Sequence, residues 1–159
     1  MKRIEVDLSK QTLCLYEGSK RLREYRVSTA ANGAGEKNGS ECTPRGRHQV
    51  RAMIGRGAVP GTVFAGRRPT GEIYSNELRE RYPQRDWILT RILWLSGLEP
   101  GKNRLCDVDT MRRYIYIHGT PDDTRLGVPG SHGCVRMNNT DLVELFGMVS
   151  PGIEVNIKE

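Results

Sequence analysis

The chain has 159 residues, with 25 Lys+Arg against 19 Asp+Glu and a net charge of +6. That length suits a single domain, residues 1–159, able to bury roughly 70% of its unfolded surface. The basic excess suits an anionic partner. It is spread as single and paired arginines, however, with no RNP-like aromatic motif, zinc-finger spacing or heptad pattern, so it reads as a solvated basic surface and not a nucleic-acid face.

Met1-Lys2-Arg3-Ile4-Glu5-Val6-Asp7 opens directly in a strand-like alternation. It has no apolar h-region, and no apolar run in the chain is long enough to span a membrane. The expectation is a cytoplasmic protein with no membrane partner. A truncated chain carrying an added Met would read the same way, and its parent would then be periplasmic.

Ile4, Val6 and Leu8 alternate with charged residues, and Leu13 and Leu15 repeat the pattern after the turn Ser9-Lys10-Gln11. Glu17-Gly18-Ser19-Lys20 is the next turn, and residues 21–29 alternate again through Leu22, Tyr25 and Val27. Three short strands joined by tight turns predict a mostly β, α+β protein. From Ala30 to Gly46 a Gly-rich loop follows, long enough to be functional or mobile. It has no GxxxxGK[ST] pattern and no helix after it, so it is not a phosphate loop. A strand is predicted from His48 to Ile54, with His48 as a strand surface residue.

Residues 55–74 carry seven glycines and prolines and leave room only for a short strand, Thr62–Ala65. Ser75 to Tyr82 predicts one or two helical turns capped by Ser75 or Asn76 and ended by Pro83. Trp87 to Leu95 is apolar on both faces and predicts a central strand. A polar loop, Gly97–Asp109, precedes a strand predicted over Met111–Ile117, whose end carries His118-Gly119. After a loop rich in glycine and proline, Asn138 or Asn139 caps a helix with Leu142, Leu145, Phe146 and Val149 at helical spacing. Ile153, Val155 and Ile157 predict a last strand.

Four cysteines, Cys14, Cys42, Cys106 and Cys134, form no CxxC pair and are expected as free thiols. Cys14 lies between Leu13 and Leu15 and reads as a core residue, while Cys42 and Cys106 lie in polar loops without a neighbouring base. Only Cys134 has helpers beside it, in Ser131-His132-Gly133-Cys134-Val135-Arg136. A cysteine nucleophile needs a base to take its proton and backbone N–H groups to hold an oxyanion. His118 and His132 are the available bases, and Gly133 lets a carbonyl approach the backbone. A zinc site from His118, His132 and Cys134 fits none of the usual ligand spacings, so neither metal nor cofactor is expected.

His118-Gly119, the Gly/Pro loop, Ser131-His132-Gly133-Cys134-Val135-Arg136-Met137 and Asp141-Leu142 together resemble the catalytic signature of the L,D-transpeptidase (YkuD) family. Val6-Asp7-Leu8, Gln11-Thr12-Leu13, Thr43-Pro44-x-Gly46 and Arg113 through Thr120 are similar to that family as well, so the resemblance covers nearly the whole chain. It implies a β-sandwich-like fold of mixed sheets with a short helix following the cysteine loop. It also implies acyl-enzyme chemistry on the amide between the third stem residue of peptidoglycan, usually diaminopimelate, and a terminal D-alanine. The partners are then peptidoglycan stem peptides or muropeptides; the sequence carries no signal of oligomeric state.

Under the resemblance Cys134 is the nucleophile, acting as thiolate, and His118 the base, with the roles of His118 and His132 open to exchange. Gly119 or a neighbour supplies a carbonyl to orient His118, since family members that use a side chain there differ from this chain. Gly133 and Cys134 N–H are the oxyanion donors, and Ser131 fixes His132 or lines the pocket. Arg136 either holds a substrate carboxylate or forms a structural salt bridge, and Tyr116, in register with His118, lines the pocket. With no export signal read at the N-terminus, hydrolysis is the expected outcome, an L,D-carboxypeptidase trimming tetrapeptide to tripeptide in murein recycling. The alternatives are 3→3 cross-linking or amino-acid exchange, and a non-catalytic peptidoglycan-binding module.

Overall fold

In the computed structural model, which describes residues 1–159, the alternating opening segments pair as β1 (Lys2–Asp7), β2 (Thr12–Glu17) and β3 (Lys20–Ser28). Ile4 lies opposite Leu15 and Val6 opposite Leu13, all four fully buried. A one-residue slip would turn the whole set outward, so burial fixes the register. Cys14 points to the other face of β2, yet it is largely covered there and contacts Glu24.

The remaining strands are β4 (Gly46–Ile54), β5 (Thr62–Ala65), β6 (Arg68–Ile73), β7 (Ile88–Gly97), β8 (Tyr116–Gly119), β9 (Val135–Met137) and β10 (Glu154–Lys158). They form one ten-stranded order, β4-β10-β1-β2-β3-β9-β8-β7-β5-β6, which closes through a β4–β7 pairing. The β1–β10 and β8–β9 pairs are parallel and the other pairs antiparallel. The expected mostly β class with mixed pairing holds. Closure leaves only the β5–β6 hairpin projecting from the ring, and Pro69, which cannot donate to a ladder, sits on its edge strand.

Helix α1 (Asn76–Arg81) is capped by Ser75, whose hydroxyl accepts from Leu78 N–H. Helix α2 (Asn139–Met148) is capped by Asn138, which accepts from Thr140 and Asp141 N–H. Leu142, Leu145 and Phe146 enter the main core from α2. Each contributes about 1.5–3 kcal/mol by leaving water. That burial seats the start of α2 against β7 and β8, where the functional site lies.

Three local expectations are corrected. His48 is fully buried: β4 is hydrogen-bonded on both sides, so a position that alternation placed at the surface is enclosed. Its Nδ1 meets Gly46 O at 3.0 Å and its Nε2 meets Thr110 Oγ1 at 2.9 Å. The strand expected over 111–117 begins only at Tyr116, because Asp109 draws the chain into a turn. The Asp109 carboxylate accepts from Arg112 N–H, its carbonyl accepts from Arg113 N–H, and Tyr114 takes φ 57°. The breaker-rich run 55–74 holds a second strand, β6, across from β5.

Candidate active site

Strands β8 and β9 run parallel, with Ile117 beside Val135 and His118 beside Arg136. This brings His118 and the Ser131–Arg136 stretch to one cleft of about 400 Å³. Cys134, Ser131, His132, Arg136 and Tyr116 all line it.

The turn before Cys134 is held by its own polar groups. Ser131 Oγ donates to Cys134 O (2.6 Å) and accepts from Gly133 N–H (3.1 Å). Thr43 Oγ1 donates to Gly133 O (2.9 Å) and accepts from Ala30 N–H. Gly133 has φ 130°, and a Cβ there would press on Ile115 Cδ1 and Cys42 O, so only glycine fits without displacement. The Gly-rich loop that supplies Thr43 is pinned rather than free. Arg113 Nη2 donates to Cys42 O (2.6 Å), and its Nη1 to Gly35 O and Glu36 O.

These bonds revise the oxyanion expectation. Gly133 N–H is already satisfied by Ser131, whereas Cys134 N–H has no partner in the protein. Ser131 therefore serves the backbone of the turn and does not fix His132. The His132 side chain is exposed and makes no hydrogen bond.

His118 is completely buried, and its Nδ1 donates to Gly119 O at 2.6 Å. That bond leaves Nε2 as the lone-pair nitrogen, and Nε2 has no partner at all. Burial holds the imidazole neutral by lowering its pKa, against a smaller raising effect of the Gly119 carbonyl. The Gly119 carbonyl is the orienting group expected from sequence. A Cβ at Gly119 would run into Asn139 Oδ1 and come within 2.6 Å of Leu89 O. Asn139 accepts from Thr90 Oγ1 (2.5 Å) and donates to Thr120 O (2.8 Å), tying the start of α2 to both strands. Thr90 holds its place in this network with a left-handed φ of 77°, a strained position for a β-branched residue.

Cys134 Sγ donates to Tyr114 O (3.4 Å) and accepts from Tyr116 N–H (3.3 Å). No hydrogen bond joins it to His118 Nε2. Desolvation at the cleft floor pushes the thiol up to about 12, offset only in part by Tyr116 N–H. Burial thus favours the thiol over the thiolate, against a smaller lowering effect of Arg136 and Arg113, so the expected thiolate nucleophile requires a base to take its proton.

Arg136 makes the salt bridge that was one of its two expected roles. Nη2 pairs with Asp86 Oδ1 and Nη1 donates to Gly130 O, both at 3.0 Å. Tyr116 lines the cleft as expected, its hydroxyl accepting from Arg67 Nη1 at 3.2 Å. Sequence reasoning missed Arg67, Arg113, Asp86 and Tyr114 as lining residues. Arg67 lies in a run of glycines and prolines, with nothing local to mark it.

The L,D-transpeptidase catalytic domain family, YkuD, matches residues 1–157. The chain belongs to this family. The YkuD protein of Bacillus licheniformis is 25% identical over 155 residues, covering 98% of this chain and 64% of that protein. The YkuD protein of Bacillus subtilis is 33% identical over 89 residues, covering 56% of this chain and 44% of that protein. Among solved structures, an L,D-transpeptidase from Mycobacterium smegmatis superposes with a TM-score of 0.58 at 18% identity, covering 99% of this chain and 58% of that one. L,D-transpeptidase 3 from Mycobacterium tuberculosis, in complex with a faropenem-derived adduct, gives 0.60 at 15%, covering 99% and 60%. The chain thus spans less than two-thirds of those solved relatives, and these two likenesses speak for the shared fold of the YkuD domain.

Proposed function

We propose that this YkuD domain cleaves the L–D amide of a peptidoglycan stem peptide through an acyl-enzyme on Cys134, and that water resolves it. The observation that carries the reading is the orphaned, buried Nε2 of His118 facing the same cleft as the Cys134 thiol. A buried polar atom without a partner costs free energy, about 1–3 kcal/mol. A base awaiting a proton accounts for leaving it so.

The sulfur turns from Tyr114 O toward Nε2 and passes its proton there as it attacks the carbonyl carbon. The oxyanion forms beside the free Cys134 N–H. Collapse breaks the C–N bond, and the His118 imidazolium returns the proton to the departing D-alanine amine. His118 then takes a proton from water, which attacks the thioester and releases tripeptide and thiol. Cleft charge supports water over an amine acceptor. Arg67, Arg113 and Arg136 face it against the single carboxylate of Asp86, already paired, so a cationic amine enters against the field.

The test is incubation of the protein with murein tetrapeptide, with and without an amine acceptor, followed by intact mass and released D-alanine. A Cys134-dependent acyl adduct and tripeptide are expected. Cross-linked or exchanged product in preference to tripeptide would assign the deacylation to transfer. Absence of any adduct, together with retained peptide binding, would favour the binding-module reading.

A further inference from the structure

Three guanidinium groups line the cleft, and two are committed. Arg136 is held by Asp86 and Gly130 O. Arg113 directs both terminal nitrogens to the carbonyls and hydroxyl of the Gly-rich loop. Arg67 is different. Its only hydrogen bond is Nη1 to the Tyr116 hydroxyl, and no carboxylate pairs with it. Its guanidinium carbon lies 4.9 Å from the Trp94 ring centre and 4.7 Å from that of Tyr114.

The residue is delivered there by the β5–β6 hairpin. Gly66 and Arg67 are its two central residues and have φ of 56° and 65°, the positive pair of a type I′ turn. A left-handed φ is uncommon for arginine, and backbone strain of this kind gathers where a side chain must be aimed. Contact with two aromatic rings restrains the guanidinium, and its Nε and Nη2 make no hydrogen bond. A planar fork so held matches a carboxylate bidentately and loses little freedom on binding.

We infer that Arg67 is the specificity-determining cation of this cleft, taking the C-terminal carboxylate of the residue that leaves. The inference rests on the acyl-transfer reading of the same site. It adds to that reading the residue that recognises the free carboxylate of the terminal D-alanine. An internal L–D bond lacks that group.

The test uses Cys134→Ser protein, which binds without turnover. Three peptides are titrated by calorimetry: the free-acid tetrapeptide, its C-terminal amide, and a free acid amidated on the diaminopimelate side-chain carboxylate. Losing a charged, bidentate contact is expected to weaken free-acid binding about tenfold or more when Arg67→Gln is added. Arg67→Lys, which keeps the charge but not the fork, should recover part of it. The C-terminal amide should bind equally well with and without the Arg67→Gln substitution. Equal losses for acid and amide, no loss for either, or no binding of any peptide would overturn the inference. Sensitivity that follows the side-chain amidation instead would overturn the assignment of the terminal carboxylate. Turnover by Cys134-intact protein is scored separately. Missing product with Arg67-dependent binding would sink the acyl-transfer reading alone, and product with Arg67-independent binding would sink the clamp alone.

Discussion

The molecule holds two fully buried histidines, and the contrast between them separates scaffold from site. His48 sits in β4 between β10 and β7, with a partner on each ring nitrogen. His118 sits in β8, with a partner on Nδ1 only. Burial makes both neutral. What differs is where the second nitrogen goes: into a hydrogen bond that closes the fold, or into a cleft shared with a thiol. Burial alone therefore says little about function; an unsatisfied atom facing an open cleft says more.

The contrast breaks if the two residues behave alike on substitution. His118→Gln should lower acyl-enzyme formation about 10²- to 10⁴-fold, the range for a lost general base. It should lower the melting temperature less than the corresponding change at His48, since His118 gives up one hydrogen bond, from Nδ1, and His48 gives up two. His48→Gln should do the reverse. Intact-mass kinetics and thermal denaturation on the two variants decide this directly. In the native protein the acid limb of activity should lie below pH 6.5, because burial lowers the His118 pKa.

The next largest effect is on stability. The folded-state pKa of His48 is lowered from 6.5 to about 4, chiefly by desolvation. The unfolded chain binds that proton first as pH falls, so the stability is present above 6.5 and drains away toward about 4. A shift of that size is worth about 3 kcal/mol. Denaturant melts from pH 7 to 4 should show the slope, and His48→Gln should flatten it; an unchanged slope would remove His48 from the account.

Gly119→Ala sharpens the comparison by disturbing His118 without touching its ring. The new Cβ clashes with both Asn139 Oδ1 and Leu89 O, so the backbone or both neighbours must shift. A misplacement of the orienting carbonyl is expected to cost on the order of 10²-fold in acylation rate, read by the same intact-mass kinetics. Smallest is Ser131→Ala, which strips a partner from Gly133 N–H and Cys134 O. A loss of about 1–2 kcal/mol in unfolding free energy is expected, measured by denaturant titration.

The sequence by itself determined whatever depends on neighbours along the chain. Alternation read out β1, β2 and β3, helical spacing and Asn138 read out α2, and Ser131–Arg136 with His118-Gly119 marked the family and the two residues proposed to react. Each of these rests on a period, a cap or a motif written within a few residues. Tertiary structure decided whatever depends on partners far away. β4 found a second neighbour in β7, so His48 became enclosed. Asp86 reached Arg136, fifty residues on, and removed it as a free cation. Arg67 crossed from the β5–β6 turn to Trp94, Tyr114 and Tyr116, a meeting that no local pattern encodes. The thiol's protonation belongs with these, because desolvation and hydrogen bonding are set by the cleft and not by the residues adjoining Cys134. Local signals name the groups, and non-local pairing sets their charge, their partners and their freedom to react.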